Sequence, residues 1–210
     1  MSIDISDVQE IVSNQNQWRS KEAINLIASE NVQSDSVKQI EANDFMGRYA
    51  EGHPNTSQHD NRYYEGTRYI DKIETMATSE IIKLANCLQA DVRPISGNAA
   101  NTAVALAILR GNDTVIANSI EAGGHISHSP IGVVGRRIQV RGNILKPGKN
   151  NSINLFYWPT TDDGYHLDVP KCIDMVEQKT PNMVILGKSL FLFPEPVQEI
   201  SEVCREKNIP

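Results

Sequence analysis

No stretch of this sequence approaches the roughly 20 apolar residues that a membrane-spanning helix needs. Its N-terminus, MSIDISDVQE, is polar and acidic where a signal or transit peptide would be basic and apolar. A soluble, cytoplasmic protein without a membrane partner is expected. Cysteine is scarce: Cys87, Cys172 and Cys204 are odd in number and far apart. No pair has metal-ligand spacing and no disulfide framework follows, so they read as reduced, partly buried thiols. Basic charge is in deficit, with 20 Lys and Arg against 26 Asp and Glu. The one local exception, Arg136-Arg137 with Arg141, is short and lacks interleaved aromatics. No nucleic-acid partner is expected of such a chain. Internal repeats and low-complexity tracts are missing too. What remains is ordinary globular texture, 40% apolar over 210 residues, enough for one buried core or one and a half domains.

The first third is polar and helical with a long loop. Ser34 is a good N-cap for a helix running to Phe45, with Val37, Ile40 and Glu41 at helical spacing. A loop rich in His, Pro, Asn, Gly and Tyr follows from Tyr49 to Tyr69. An amphipathic helix then places Ile70, Ile73, Ala77, Ile81 and Leu84 on one face. From Asp91 the texture changes. Val92 to Ile95 reads as a strand, Asn98 to Leu109 as an alanine-rich helix, Thr114 to Ala117 as a strand, and Glu121 to Pro130 as a loop. Ile153 to Trp158 is a further strand. Asp168 caps a helix with Pro170 in its first turn, Val184 to Leu186 is a buried strand, and Pro196 to Lys207 a helix. Strands alternating with helices predict an α/β fold with a mainly parallel sheet. The expected division is a helical arm and loop over residues 1–68 and an incomplete α/β domain over residues 69–210. The final Asn208-Ile209-Pro210 reads as the turn into a next strand, so the natural protein is expected to continue.

Three segments carry candidate chemistry. In Ser96-Gly97-Asn98-Ala99-Ala100-Asn101 a small turn opens a helix, whose free N–H groups and dipole suit a phosphate. A plain serine cap accounts for the same residues. Gly123-Gly124-His125-Ile126-Ser127-His128 brings the backbone close to something and follows it with an imidazole. Its two histidines, like His53 and His59, have no accompanying ligand cluster, so no metal is expected. In Tyr49-Ala50-Glu51-Gly52 a glutamate lies beside glycine in an aromatic loop that continues at Arg62-Tyr63-Tyr64-Glu65-Gly66, where it suits acid–base work or merely the surface.

Together these segments resemble one family. Asn25-Leu26-Ile27-Ala28-Ser29-Glu30-Asn31 matches its LIASEN signature, Tyr49 to Gly52 its YAEG, and Arg62-Tyr63-Tyr64 with Gly66 its RYYxG. Asp71 and Glu74 match D-x-x-E. Pro94, Ser96-Gly97 and Ala100-Asn101 match P-x-SGxxAN, and Gly123-Gly124-His125 with His128 match GGHxxH. The chain is thereby similar to serine hydroxymethyltransferases, fold-type I enzymes of aspartate-aminotransferase-like architecture that use pyridoxal 5'-phosphate. The resemblance implies serine–glycine interconversion with one-carbon transfer to a reduced pterin, tetrahydrofolate or a similar carrier, by a homodimer or larger homo-oligomer. It also implies roles. Ser96, Gly97 and Asn98 would bind the cofactor phosphate, with Tyr49 reaching it from a neighbouring subunit. Asn101 would contact the cofactor near its phenolic oxygen, Ser189 would be the cofactor-contacting serine that follows the family's later strand, and His125 would stack on the ring. Ser29 and Tyr64 would hold the substrate carboxylate, Glu51 would transfer a proton, and Ile120, Gly124 and Ile126 would line the pterin site.

The sequence departs from the family pattern in places. Thr56 to Asp60 are inserted, Glu65 replaces a usual glycine and Asn98 a usual serine, and the run Leu186 to Pro194 is unlike the common version. A divergent, archaeal-like branch is expected. The family's pyridinium aspartate, cofactor-holding lysine and carboxylate-binding arginine would fall after Pro210, and Lys188, which precedes that aspartate's strand, is not expected to replace the lysine. By itself the chain would then be inactive. Another fold-type I enzyme, of aldolase or aminotransferase type, and a non-catalytic truncated copy that acts only as a binding partner are the alternatives.

Overall fold

The computed structural model describes residues 4–27, 29–54, 62–136 and 153–210, with the backbone alone at Arg136. The inserted residues 56–60, His59, Ala28, Arg137 and Arg141 lie outside the described residues, as does the side chain of Arg136. Two compact units, Met1–Thr75 and Met76–Pro210, are taken one at a time.

In the first unit, α1 (Ile5–Gln17) starts where the Asp4 carboxylate accepts the Ser6 N–H, 3.0 Å away. Helix α2 (Asp35–Glu41) starts at Ser34 as expected, the hydroxyl accepting the Val37 N–H at 3.3 Å. It does not reach Phe45. Asn43 Oδ1 accepts the Phe45 N–H at 2.7 Å and opens a separate 3-10 turn, Asp44–Gly47. A short amide that competes for backbone donors is a standard helix stop. Helix α3 (Arg68–Ala85), which the division at Thr75 and Met76 cuts in two, forms where the apolar spacing puts it, yet Ile73, Ile81 and Leu84 of its stripe stay exposed.

The second unit is built on a parallel three-stranded sheet in the order β2-β1-β3: β1 Thr114–Ala117, β2 Asn154–Tyr157 and β3 Met183–Val184. Thr114 pairs with Asn154 and Val115 with Met183 across the central strand. Val115, Ile116 and Ala117 are wholly buried. Alternation along β1 sends its side chains to opposite faces. Val115 joins Ala105, Leu109, Val133 and Val134 from α4 (Gly97–Ile108) and α5 (Val133–Arg136). Ile116 joins Trp158, Cys172, Val176, Ile200 and Val203, most of them from α6 (Val169–Lys179) and α7 (Val197–Glu206). Helices therefore cover both faces, the arrangement that buried parallel strands require. Asp168 caps α6 by accepting the Lys171 N–H, with Pro170 in the first turn. Among the described residues no helix is long and apolar enough to cross a membrane.

One expected strand is not there. Val92 to Ile95 runs irregularly into the Ser96 cap. Asp91 takes the Arg93 N–H at 3.0 Å, Pro94 has no N–H to give a ladder, and Ile95 stands 96% exposed.

Ile200 is fully buried where α7 meets the sheet. Ile200→Ala is expected to lower unfolding free energy by about 2–5 kcal/mol, read from the urea midpoint. A change below about 1 kcal/mol would mean that α7 is not part of this core.

Candidate functional site

The loops of the second unit converge at the C-terminal edge of its sheet, where open parallel sheets characteristically receive ligands. Helix α4 begins there. Ser96 is its N-cap, the hydroxyl accepting the Ala99 N–H at 3.1 Å. Ser96, Gly97 and Asn98 are exposed, and a Cβ placed on Gly97 would meet nothing within 4 Å. The first-turn N–H groups of a helix have no partner within it, and the helix dipole adds positive potential. Open backbone at this end of a twelve-residue helix has the donors to cradle an anion such as a phosphate.

One turn along α4, Asn101 turns its amide inward. Its Nδ2 lies 2.8 Å from Ser127 Oγ and 3.2 Å from His128 Nε2. Ser127 is fully buried, and its Oγ lies 2.6 Å from His125 Nδ1, which also accepts the Ser127 N–H at 3.1 Å. These contacts assign the protons. Asn101 gives its two amide hydrogens to Ser127 and His128, Ser127 gives its hydroxyl hydrogen to His125 Nδ1, and this pattern leaves Nε2 as the donor nitrogen of His125. The same logic puts the His128 proton on Nδ1, which is buried without a partner among the described residues. Burial first, then the charge of nearby His125, hold the His128 pKa below its ordinary value. The two rings meet edge to face at 5.8 Å.

Sequence reasoning did not single out Ser127, although it links Asn101 to His125. Its signal was a small hydroxyl two residues beyond the first histidine of the GGHxxH match.

The paired glycines serve the fold. Gly123 has φ +88°, and a Cβ there would lie 2.8 Å from the Leu190 carbonyl; one at Gly124 would fall on the Asn118 carbonyl. The carbonyl of Gly123 accepts the N–H of Ser189 at 2.8 Å and of Leu190 at 3.1 Å, so the segment after β3 is tied to the His125 loop. Ile120 and Ile126 flank this loop, about half exposed. Lys188, next to Ser189, gives its ammonium to Glu195 at 3.0 Å and to the Tyr165 carbonyl at 3.2 Å.

The first unit carries the other candidates. Tyr49 and Tyr64 stack with ring centroids 5.0 Å apart. Between them in sequence, Arg62 is a clamp. Its guanidinium, 4% exposed, binds Asp71 at 2.8 Å and Glu74 at 2.6 Å from α3, and donates to the carbonyls of Ala50 and Gly52. Burial works against the charge on Arg62, but hydrogen bonds to Glu74 and Asp71 more than offset it and raise its pKa. The clamp grips the backbone on both sides of Glu51 and leaves the Glu51 side chain exposed. Ser29 lies in an exposed turn. Ser29, Tyr49, Glu51 and Tyr64 thus belong to one unit, and the anion cradle, Asn101, His125 and Ser189 to the other.

The arrangement has known counterparts. The family model described as serine hydroxymethyltransferase matches residues 2–208. A serine hydroxymethyltransferase of Pyrobaculum arsenaticum is 38% identical over 202 residues, covering 96% of this chain and 43% of its own. That of Pyrobaculum calidifontis is 39% identical with the same coverage. That of Saccharolobus islandicus is 37% identical over 198 residues, covering 94% of this chain and 41% of its own. The chain thus spans about two fifths of the length of these archaeal relatives.

His128 yields a pH prediction. With its folded pKa below the ordinary value of about 6.5, the unfolded chain takes up the proton first. The stability this residue contributes is present above that pH and is lost as pH falls through the folded pKa. Urea unfolding should show weaker stability at pH 5 than at pH 7.5, with a smaller difference in His128→Gln. Equal differences in the two proteins would refute the assignment.

Proposed function

The chain belongs to the serine hydroxymethyltransferase family, whose members are fold-type I pyridoxal-phosphate enzymes, and on that premise we propose that the whole protein interconverts serine and glycine. The one-carbon unit passes to a reduced pterin, tetrahydrofolate or a similar carrier. We place the enzyme in the cytoplasm as a homodimer or larger homo-oligomer. The observation that most supports this reading is the pairing, at one sheet edge, of an open helix N-terminus with a histidine held in a defined tautomer.

The bound cofactor supplies an electron sink for the carbon that loses its substituent. The chain's own groups bind and orient. In this reading Ser96, Gly97 and Asn98 receive the phosphate at the start of α4. Tyr49 reaches the phosphate of the neighbouring subunit. His125, its Nδ1 held by Ser127, lays its imidazole over the ring. Asn101 approaches the phenolic oxygen by releasing one of its two inward hydrogen bonds, and Ser189 contacts the cofactor from the turn after β3. Ser29 and Tyr64 take the substrate carboxylate. Ile120, Gly124 and Ile126 bound the pterin. Glu51, its backbone gripped by Arg62, keeps its carboxyl free to hold or pass a proton at the serine hydroxyl. The bound ligands displace water from that carboxyl and make it an effective acid–base group.

Two variants of the whole protein test this reading. A side chain at position 97 enters open space, so Gly97→Val should fold normally. By obstructing the α4 N–H groups it should weaken cofactor binding by at least about tenfold, or ~1.4 kcal/mol. Cofactor affinity within a factor of two of the unaltered protein sinks the cradle.

Glu51→Gln keeps shape and hydrogen bonds but removes the titrating proton. It should retain cofactor and bind glycine while pterin-dependent serine turnover falls about 10²–10⁴-fold. Turnover near the unaltered rate would leave Glu51 as a loop residue.

A further inference from the structure

We propose that Lys188, Glu195 and Asn118 are positioning residues, a buried polar clasp that fixes the Ser189 turn against the Gly123 carbonyl and so sets the contact Ser189 makes with the cofactor. The proposal rests on the reading of Ser189 given above and adds three residues to which that reading assigns no role.

The clasp sits where β1 and β3 end. Asn118 follows β1 directly and is 2% exposed. Its Nδ2 lies 3.3 Å from both Glu195 Oε1 and the Gly187 carbonyl. Two acceptors facing one nitrogen fix which way the amide points. Its Oδ1 is left buried without a partner among the described residues. Lys188 and Glu195 pair at 3.0 Å with side chains 5% and 3% exposed, and the Lys188 ammonium also reaches the Tyr165 carbonyl. The clasp therefore binds the residues on either side of the turn, Gly187 and Lys188 before Ser189 and Glu195 after it, to the end of the central strand. Beyond Lys188, the N–H groups of Ser189 and Leu190 close on Gly123.

Two buried charges and an unmet carbonyl are a costly way to hold a turn. Apolar side chains of similar volume commonly hold equally well, because desolvation takes back much of what a buried pair gains. What the pair provides and an apolar contact does not is direction, since each polar atom accepts only certain geometries. Direction matters when the turn presents a hydroxyl to a ligand. A clasp that served stability alone would tolerate exchange of both charges for matched apolar groups; one that served position would not.

The test uses the whole protein, stripped of cofactor and titrated with pyridoxal phosphate by absorbance, with far-UV circular dichroism and the thermal midpoint followed in parallel. Lys188→Met with Glu195→Leu removes both charges and keeps the volume. Its dissociation constant for pyridoxal phosphate should rise about tenfold with the dichroism and midpoint close to those of the unaltered protein. Asn118→Ala keeps both charges and should shift the constant in the same direction, by about threefold or more; it decides alone if the double variant does not fold. A dissociation constant unchanged in every variant that folds, or one that worsens only in step with the midpoint, overturns the proposal. If the unaltered protein takes up no pyridoxal phosphate, the functional reading falls and this inference with it. If it does and the variants match it, only this inference falls.

Discussion

Every feature of the second unit refers back to the burial of β1. Val115, Ile116 and Ala117 have no accessible surface, and each neighbour on the strand faces a different core. A strand covered on both sides and paired on both edges has its ends as its only outlets. Chain leaving its C-terminal end must satisfy buried polar groups at once, because the water that would do so is excluded. Asn118, Gly124, Ser127 and His128 are all buried within eleven residues of the end of β1. The polar network there follows from closing a buried parallel sheet.

That network was partly legible. Ser34, Ser96 and Asp168 showed as caps because a side-chain acceptor ahead of a helical pattern acts locally, and all three cap helices. Helices α3, α4, α6 and α7 and all three strands of the sheet lie where periodicity put them, to within a residue or two. The reading erred where the outcome depended on partners. Val92 to Ile95 has a strand's composition but runs irregularly, with Ile95 exposed. The helix after Ser34 stops early because Asn43 outbids the backbone, which periodicity does not register. The candidate site divides the same way. Motifs located its residues, while the hydrogen-bond order Asn101–Ser127–His125 needed three dimensions. The glycines at 123 and 124 mark a close backbone approach, and only the fold shows that the protein's own carbonyls stand where their Cβ atoms would be.

Lys188 and Glu195 make sense together. Lys188 lies in the run from Leu186 to Pro194 that differs from the common family version, and Glu195 follows that run directly. Either charge alone at 3–5% exposure would be left unpaired in the interior, a loss on the order of several kcal/mol. A lysine at 188 is tolerable because a carboxylate stands at 195, and the reverse holds equally. The Lys188 nitrogen is engaged by Glu195 and by the Tyr165 carbonyl.

Arg62 shows what a motif is for. RYYxG and D-x-x-E are separate in sequence, but the first supplies one guanidinium and the second two carboxylates a helical turn apart. Asp71 and Glu74, at i and i+3 on α3, project side by side and occupy the Nε and Nη2 faces of the guanidinium. That leaves Nη1, whose hydrogens go to the carbonyls of Ala50 and Gly52. Replacing arginine by lysine would keep the charge and lose the fork, because an ammonium has no planar set of five donors to divide among four acceptors. The geometry spends the whole guanidinium on backbone and helix and none on Glu51. A carboxylate meant to pair with Arg62 would have been drawn into the clamp; instead the backbone is held at Ala50 and Gly52, on both sides of Glu51, while the Glu51 side chain stays exposed outside the clamp.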